Sequence, residues 1–361
     1  ATGYAPVLAE ALMELGDLQG RHDEPARADE TLHAAARAAT LGRHDEVLAE
    51  AWLALAWSVG LNRDQAAEGQ RWAAYAEAVI DRMGRPDGLS AELACTQGNL
   101  HWAAGDDAAA IERLTTCLRL RERTMPEDPL VANALAYLGN TQIEAGRIAD
   151  AEASFRRGLA IASAAHGPTH PLVASMHNGL GVALFHAQRL VEAEAEYQRA
   201  YDIDVALLGP DHPDLLYSLG NIAMCRMERG DHAEALVALR RVEALVRASF
   251  PPEHREVGLT AHNLGELLAL TGRPSEALAE YDRALAVRTK VHGPDDPYVA
   301  NTLTGRADPG GQLVDAQIGL DLQVDLWSTR RGLWFRLVPP RREAGRVEDD
   351  RHPGIHRDPR L

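Results

Sequence analysis

Residues 261–281 read AHNLGELLALTGRPSEALAEY. Ala261, Leu264, Gly265 and Leu268 fall at i, i+3, i+4 and i+7, the apolar stripe of an amphipathic helix. Thr271-Gly272-Arg273-Pro274 interrupts that stripe, because glycine readily ends one helix and proline is tolerated in the first turn of the next. Ala277 stands twelve residues after Gly265, and Tyr281 four residues beyond it. Helix, turn and helix make a hairpin. Gly265 and Ala277 mark its crossing, where only small side chains let two backbones approach.

The same spacing recurs upstream in steps of 42 residues, as Gly139, Ala151 and Phe155, then Gly181, Ala193 and Tyr197, then Ala223, Ala235 and Leu239. Pro129, Pro171, Pro213 and Pro297 keep the step, with Arg255 standing where one proline is missing. Looser copies extend the array toward the N-terminus: Gly98, Ala110, Leu114 and Cys117 at a 41-residue step, Ala56 with Trp72, and Gly16, Ala28, Leu32 and Ala35. The expectation is six hairpins and the start of a seventh at Asp296. Residues 1–84 hold two divergent hairpins, 86–304 the regular array, and 305–361 no repeat. Gln142 and Arg226 occupy the slot of Leu184 and Leu268, so either those side chains extend their polar ends to solvent or the register shifts there.

A small residue, an alanine twelve on and an aromatic four beyond resemble the signature of tetratricopeptide repeats. That resemblance implies an all-α fold, a right-handed α-solenoid of antiparallel helix pairs. The long unit, with its extra loops at residues 166–171 (HGPTHP), 209–213 (GPDHP) and 292–297 (HGPDDP), is similar to the repeats of kinesin light chains. Residues 8–12 (LAEAL), 51–55 (AWLAL) and 68–72 (EGQRW) also resemble the helical region that follows the catalytic domain in large bacterial serine/threonine kinases. This second resemblance implies a regulatory segment without its kinase, since no Gly-rich phosphate loop, VAIK-like lysine, HRD or DFG occurs in the chain.

Composition narrows the function. The chain carries 53 acidic against 37 basic residues, a surface that repels phosphate backbones, so nucleic acid is not an expected partner. No apolar run reaches membrane-spanning length and no signal-peptide pattern opens the sequence, which fits a cytoplasmic protein with no membrane partner. Cys95, Cys117 and Cys225 form no CxxC pair, so neither a disulfide framework nor a zinc site is expected. His166 and His170 are spaced H-x-x-x-H in a Gly-Pro loop, where a turn and cap role fits better than metal binding; His352 and His356 repeat the spacing in the tail. HExxH, GxSxG, GxxxxGK[ST] and complete GxGxxG are all missing, so no enzyme and no cofactor is expected.

Stacked hairpins curve, and by analogy with the family the first helix of each lines the inner face. The stripe one residue beyond the packing stripe gives the candidate peptide-binding groove: Glu92, Asn99 and Trp102, then Asn133, Asn140 and Glu144, then Asn178 and Phe185, then Tyr217, Met224 and Glu228, then His262 and Glu266. It holds no Lys or Arg. The expected partner is therefore a basic or amphipathic protein segment whose backbone the asparagines can hydrogen-bond. A clamp for a C-terminal carboxylate is not expected, because such a clamp needs cationic side chains.

The periodicity stops after Thr304. Residues 305–361 hold ten Arg against nine acids, with Pro339-Pro340-Arg341-Arg342 among them. Two readings account for the break, a basic arm or out-of-frame translation of a GC-rich gene. Either predicts disorder, with Leu326-Trp327 and Leu333-Trp334-Phe335 able to dock back on the last hairpin.

Overall fold

A computed structural model describes residues 4–21, 25–126 and 128–307. The described chain is fifteen α-helices: α1 (Ala5–Arg21), α2 (Pro25–Gly42), α3 (Asp45–Trp57), α4 (Ala66–Arg82), α5 (Asp87–Ala103), α6 (Asp107–Thr124), α7 (Pro129–Glu144), α8 (Ile148–His166), α9 (Pro171–His186), α10 (Leu190–Leu208), α11 (Leu215–Glu228), α12 (His232–Ser249), α13 (Arg255–Leu270), α14 (Pro274–His292) and α15 (Pro297–Ala307). Each packs chiefly on its neighbours in sequence, the mark of a helical solenoid. Seven complete pairs are present rather than the expected six, and α15 opens an eighth. It also runs three residues past the expected boundary, because Gly305 lies against the Tyr281 ring as Gly179 lies against Phe155. The rest of the tail, with its two aromatic clusters and the His352–His356 pair, lies outside the described residues.

The crossing inferred from spacing has a steric basis. A methyl added to Gly139 would stand 2.8 Å from the Phe155 ring, to Gly181 2.7 Å from Tyr197, and to Gly265 2.9 Å from Tyr281. Each ring is fully buried on the bare backbone it faces. Where the first helix carries Ala223 instead, the second carries the smaller Leu239, so bulk on one helix is matched against bulk on the other. The second hairpin departs from its expected pairing of Ala56 with Trp72. A π-helical turn at Ser58–Asn62 carries α3 onward, and Gly60 meets Gly69 at the crossing, while Trp72 stacks on Trp52 at 5.3 Å.

Both polar intruders on the stripe are paired. Gln142 is buried and accepts a 2.8 Å hydrogen bond from the Ser154 hydroxyl, while Arg226 extends to Glu194 at 2.7 Å. Cys95 and Cys117 correct the sequence reading outright: α5 and α6 bring them together as a disulfide, with Cα atoms 5.2 Å apart. Spacing alone cannot reveal this, since the two meet only because they face each other across a hairpin. Cys225 is a buried free thiol, its pKa pushed up to about 12, mainly by burial.

The turns inside hairpins three to seven end the first helix on a left-handed residue, at Gly105, Gly146, Gln188, Gly230 and Gly272. The next amide reaches back five residues in each, as Arg147 N to the Gln142 carbonyl at 2.7 Å and Arg189 N to the Leu184 carbonyl at 2.9 Å. Gln188 alone bears a side chain there. Gln188→Gly is therefore expected to stabilise the fold by about 1 kcal/mol, measured by urea denaturation; an unchanged midpoint would contradict the strain.

The H-x-x-x-H loop is a cap. His170 Nδ1 accepts the Leu172 amide at 3.2 Å at the start of α9, the place Asp128 takes at α7 and Asp296 at α15. The His166 ring stacks on it at 4.0 Å. Burial, with a smaller contribution from His166, holds the His170 pKa below its ordinary value. A depressed folded pKa gives stability that is complete above the ordinary value of about 6.5 and fades as pH falls below it. His170→Asp should thus raise the melting temperature more at pH 5 than at pH 8. Equal shifts at both pH values would rule out the titrating cap.

Candidate functional site

First helices of successive pairs also touch one another directly, α7 on α9 and α13 on α15 for instance, which puts them on the inner side of the curve. They are correspondingly the more buried: all but four residues of α9 are closed to solvent. The inner surface is therefore made by the few first-helix positions left open, which recur with the repeat. Asn133, Ser175, Tyr217 and Leu259 form one partly open row, and Glu144, His186, Glu228 and Leu270 another.

The thirteen residues expected to line the groove divide accordingly. Glu92, Glu144 and Glu228 are exposed, and Asn133, Asn140 and Tyr217 are partly open. Asn99, Trp102, Asn178, Phe185, Met224, His262 and Glu266 are buried between repeats. Asn178 accepts a 3.1 Å hydrogen bond from the Asn221 side chain of the next first helix, and His262 Nε2 lies 3.2 Å from Glu266 Oε1. The Asn178–Asn221 bond joins adjacent first helices, whereas the His262–Glu266 contact lies within α13. His186 was missed by the stripe rule, although stepping 42 residues from Glu144 reaches it.

Electrostatics temper the all-acidic expectation. Arg121 of α6, largely buried, sits near Glu92, Asp128 and Tyr137, and desolvation depresses its pKa. Desolvation also raises the Glu228 carboxyl, while His186 is pushed toward its neutral form by burial. Two further arginines line a cavity of about 80 Å³ between hairpins six and seven, Arg255 and Arg288, together with Tyr217 and Leu259 among others. Burial first, then the nearby Glu256, raises the Tyr217 phenol pKa, with Arg255 opposing. Neither arginine belongs to the stripe: Arg255 opens α13 and Arg288 comes from the second helix α14. Arg288 is fixed by the Tyr298 carbonyl at 2.9 Å and the Thr302 hydroxyl at 2.8 Å.

Among the described residues no group of three or more His, Cys, Asp or Glu could hold a metal ion, and no helix is long and apolar enough to cross a membrane.

Comparison with solved structures returns the same architecture. BtubC (BKLC) from P. vanneervenii aligns over 64% of this chain and 92% of its own, with 21% identity and a TM-score of 0.55. A putative kinesin light chain with nearly identical TPR-like repeats from Podosopora anserina aligns over 55% and 93%, with 21% identity and a TM-score of 0.50. A Rap protein complexed with Competence and Sporulation Factor aligns over 87% and 89%, with 12% identity and a TM-score of 0.60. At these identities the likeness establishes the fold. No curated protein sequence matches the chain. The tetratricopeptide repeat family profile matches residues 89–164, 172–248 and 256–308, more than half of the chain, and the chain belongs to that family.

Proposed function

We propose that this chain is a non-catalytic interaction module that holds a segment of a partner protein along the inner rows of its first helices. The observation that carries the reading is the periodic opening of an otherwise closed surface. Asn133, Ser175, Tyr217 and Leu259 present hydrogen-bonding and apolar groups in one row, while Glu144, His186, Glu228 and Leu270 run beside them. A row with the pitch of the repeat suits an extended or helical segment better than a small substrate. The buried residues beneath, Asn99, Trp102, Asn178, Phe185, Met224, His262 and Glu266, set the spacing of the rows. A solved relative in fold, the Rap protein, is complexed with Competence and Sporulation Factor, which supports such a use of this architecture.

Glu92, Glu144 and Glu228 favour a basic or amphipathic partner over an acidic one, because exposed carboxylates attract cationic side chains and repel anionic ones. Arg255 and Arg288 of hairpin seven limit this preference to the repeats before it. Fluorescence anisotropy with arrayed peptides would test it. Arginine-bearing peptides should bind best at low salt, and Glu144→Gln with Glu228→Gln should weaken them roughly threefold per site without moving the melting temperature. Preferential capture of acidic peptides would overturn the reading.

A further inference from the structure

The cavity between hairpins six and seven follows from two truncations in an otherwise filled series. One first-helix position, taken along the repeat, reads Cys95, Ala136, Asn178, Gly220 and His262. Cys95 is closed by its bond to Cys117. Ala136 is buried in the apolar cluster that contains Phe155. Asn178 receives the Asn221 amide at 3.1 Å, and His262 sets its ring edge-on to Tyr281 at 5.9 Å. Gly220 supplies no side chain at all. The residue in the place of Phe155, which could have filled the gap from the second helix, is the shorter Leu239.

Both truncated residues line the cavity, and so does Asn263, the counterpart of Asn221. Asn263 is only 6% exposed, and its side-chain carbonyl oxygen is buried without a hydrogen-bonding partner. An orphaned buried acceptor is costly unless something donates to it. One repeat earlier a carboxamide of the protein's own chain, that of Asn178, stands at this place and pairs with the Asn221 side chain by accepting from it at 3.1 Å.

We propose that this cavity takes the carboxamide side chain of a glutamine or asparagine from the bound segment, which donates to Asn263 where the missing internal asparagine would have stood. The methylene stem of a glutamine suits the apolar walls of Leu239 and Val242, and the cavity of about 80 Å³ is open to the row that contains Tyr217 and Leu259. An ammonium donor is disfavoured by the guanidinium groups of Arg255 and Arg288, and a carboxylate cannot donate to a carbonyl. The specificity rests on the reading of the inner rows as a peptide site and adds a fixed register to it.

Propionamide, the glutamine side chain as a free molecule, separates the two. In the full chain labelled with nitrogen-15 at its eight asparagines, propionamide should produce a saturable shift of the Asn263 side-chain resonance. 2-Butanone, of the same shape but without a donor, should bind at least tenfold more weakly. Gly220→Asn should abolish the propionamide shift by filling the cavity with an internal carboxamide at the place Asn178 takes one repeat earlier. Should that variant fold poorly, Asn263→Leu, followed through neighbouring backbone amides, should likewise remove the binding. Equal binding of the two probes, no saturable shift, or binding that persists in either folded variant would overturn the proposal. Arginine peptides that bind while propionamide does not would sink the carboxamide site alone; the opposite pattern would sink the peptide-groove reading.

Discussion

This solenoid rests on matched bulk where the two helices of a pair cross, seen most plainly where a bare stretch of backbone on one helix meets a ring on the next. Gly139, Gly181 and Gly265 leave no room even for a methyl beside Phe155, Tyr197 and Tyr281, and the rings are wholly buried there. That contact sets how closely the two helices of a pair approach. It thereby sets the tilt at which the following pair stacks and the inward placement of the first helices. Function enters through the same constraint. Because the first helices are crowded inward, most of their surface closes, and two rows of recurring positions stay open.

The outer helices are joined differently. Arg189, just ahead of α10, bonds Glu192 of that helix at 2.6 Å and reaches Glu152 of α8 at 2.9 Å, while the buried Glu243 of α12 gathers Arg240, Arg247 and Arg283 at 2.7 to 2.8 Å. Burial works to raise the Glu243 pKa, but hydrogen bonds from Arg240 and Arg283 outweigh it and hold the carboxyl low. Exposed members of such ladders contribute little individually. Their geometric effect is larger, because they link second helices from neighbouring pairs.

Much of the fold was legible because the constraint is periodic. A glycine, an alanine twelve on and a ring four beyond can be counted along the chain, and the prolines and acidic or histidine caps confirm the phase. The second hairpin was read less well, since its crossing uses Gly60 and Gly69 and depends on a π turn that no spacing rule marks. The Cys95–Cys117 bond was illegible for a related reason: residues 22 apart meet only through the hairpin. The candidate site was legible in part. A stripe on a helical wheel finds which residues face inward but not which of them the next repeat covers, and so Asn99, Phe185 and His262 fell on the stripe although they are buried. The cavity at Gly220 needed the repeats to be compared with one another, because its signal is a missing side chain.

If matched bulk at the crossing governs the stack, the pair Ala223 with Leu239 should be transferable to another hairpin. The decisive measurement is a double-mutant cycle in chemical denaturation at the fifth hairpin, with Gly181→Ala, Tyr197→Leu and their combination. Each single change should destabilise, the first by crowding and the second by leaving a cavity. The combination should recover about 1–2 kcal/mol relative to the sum of the two. Strict additivity would contradict the account, because it would mean that the glycine and the ring contribute independently of their contact.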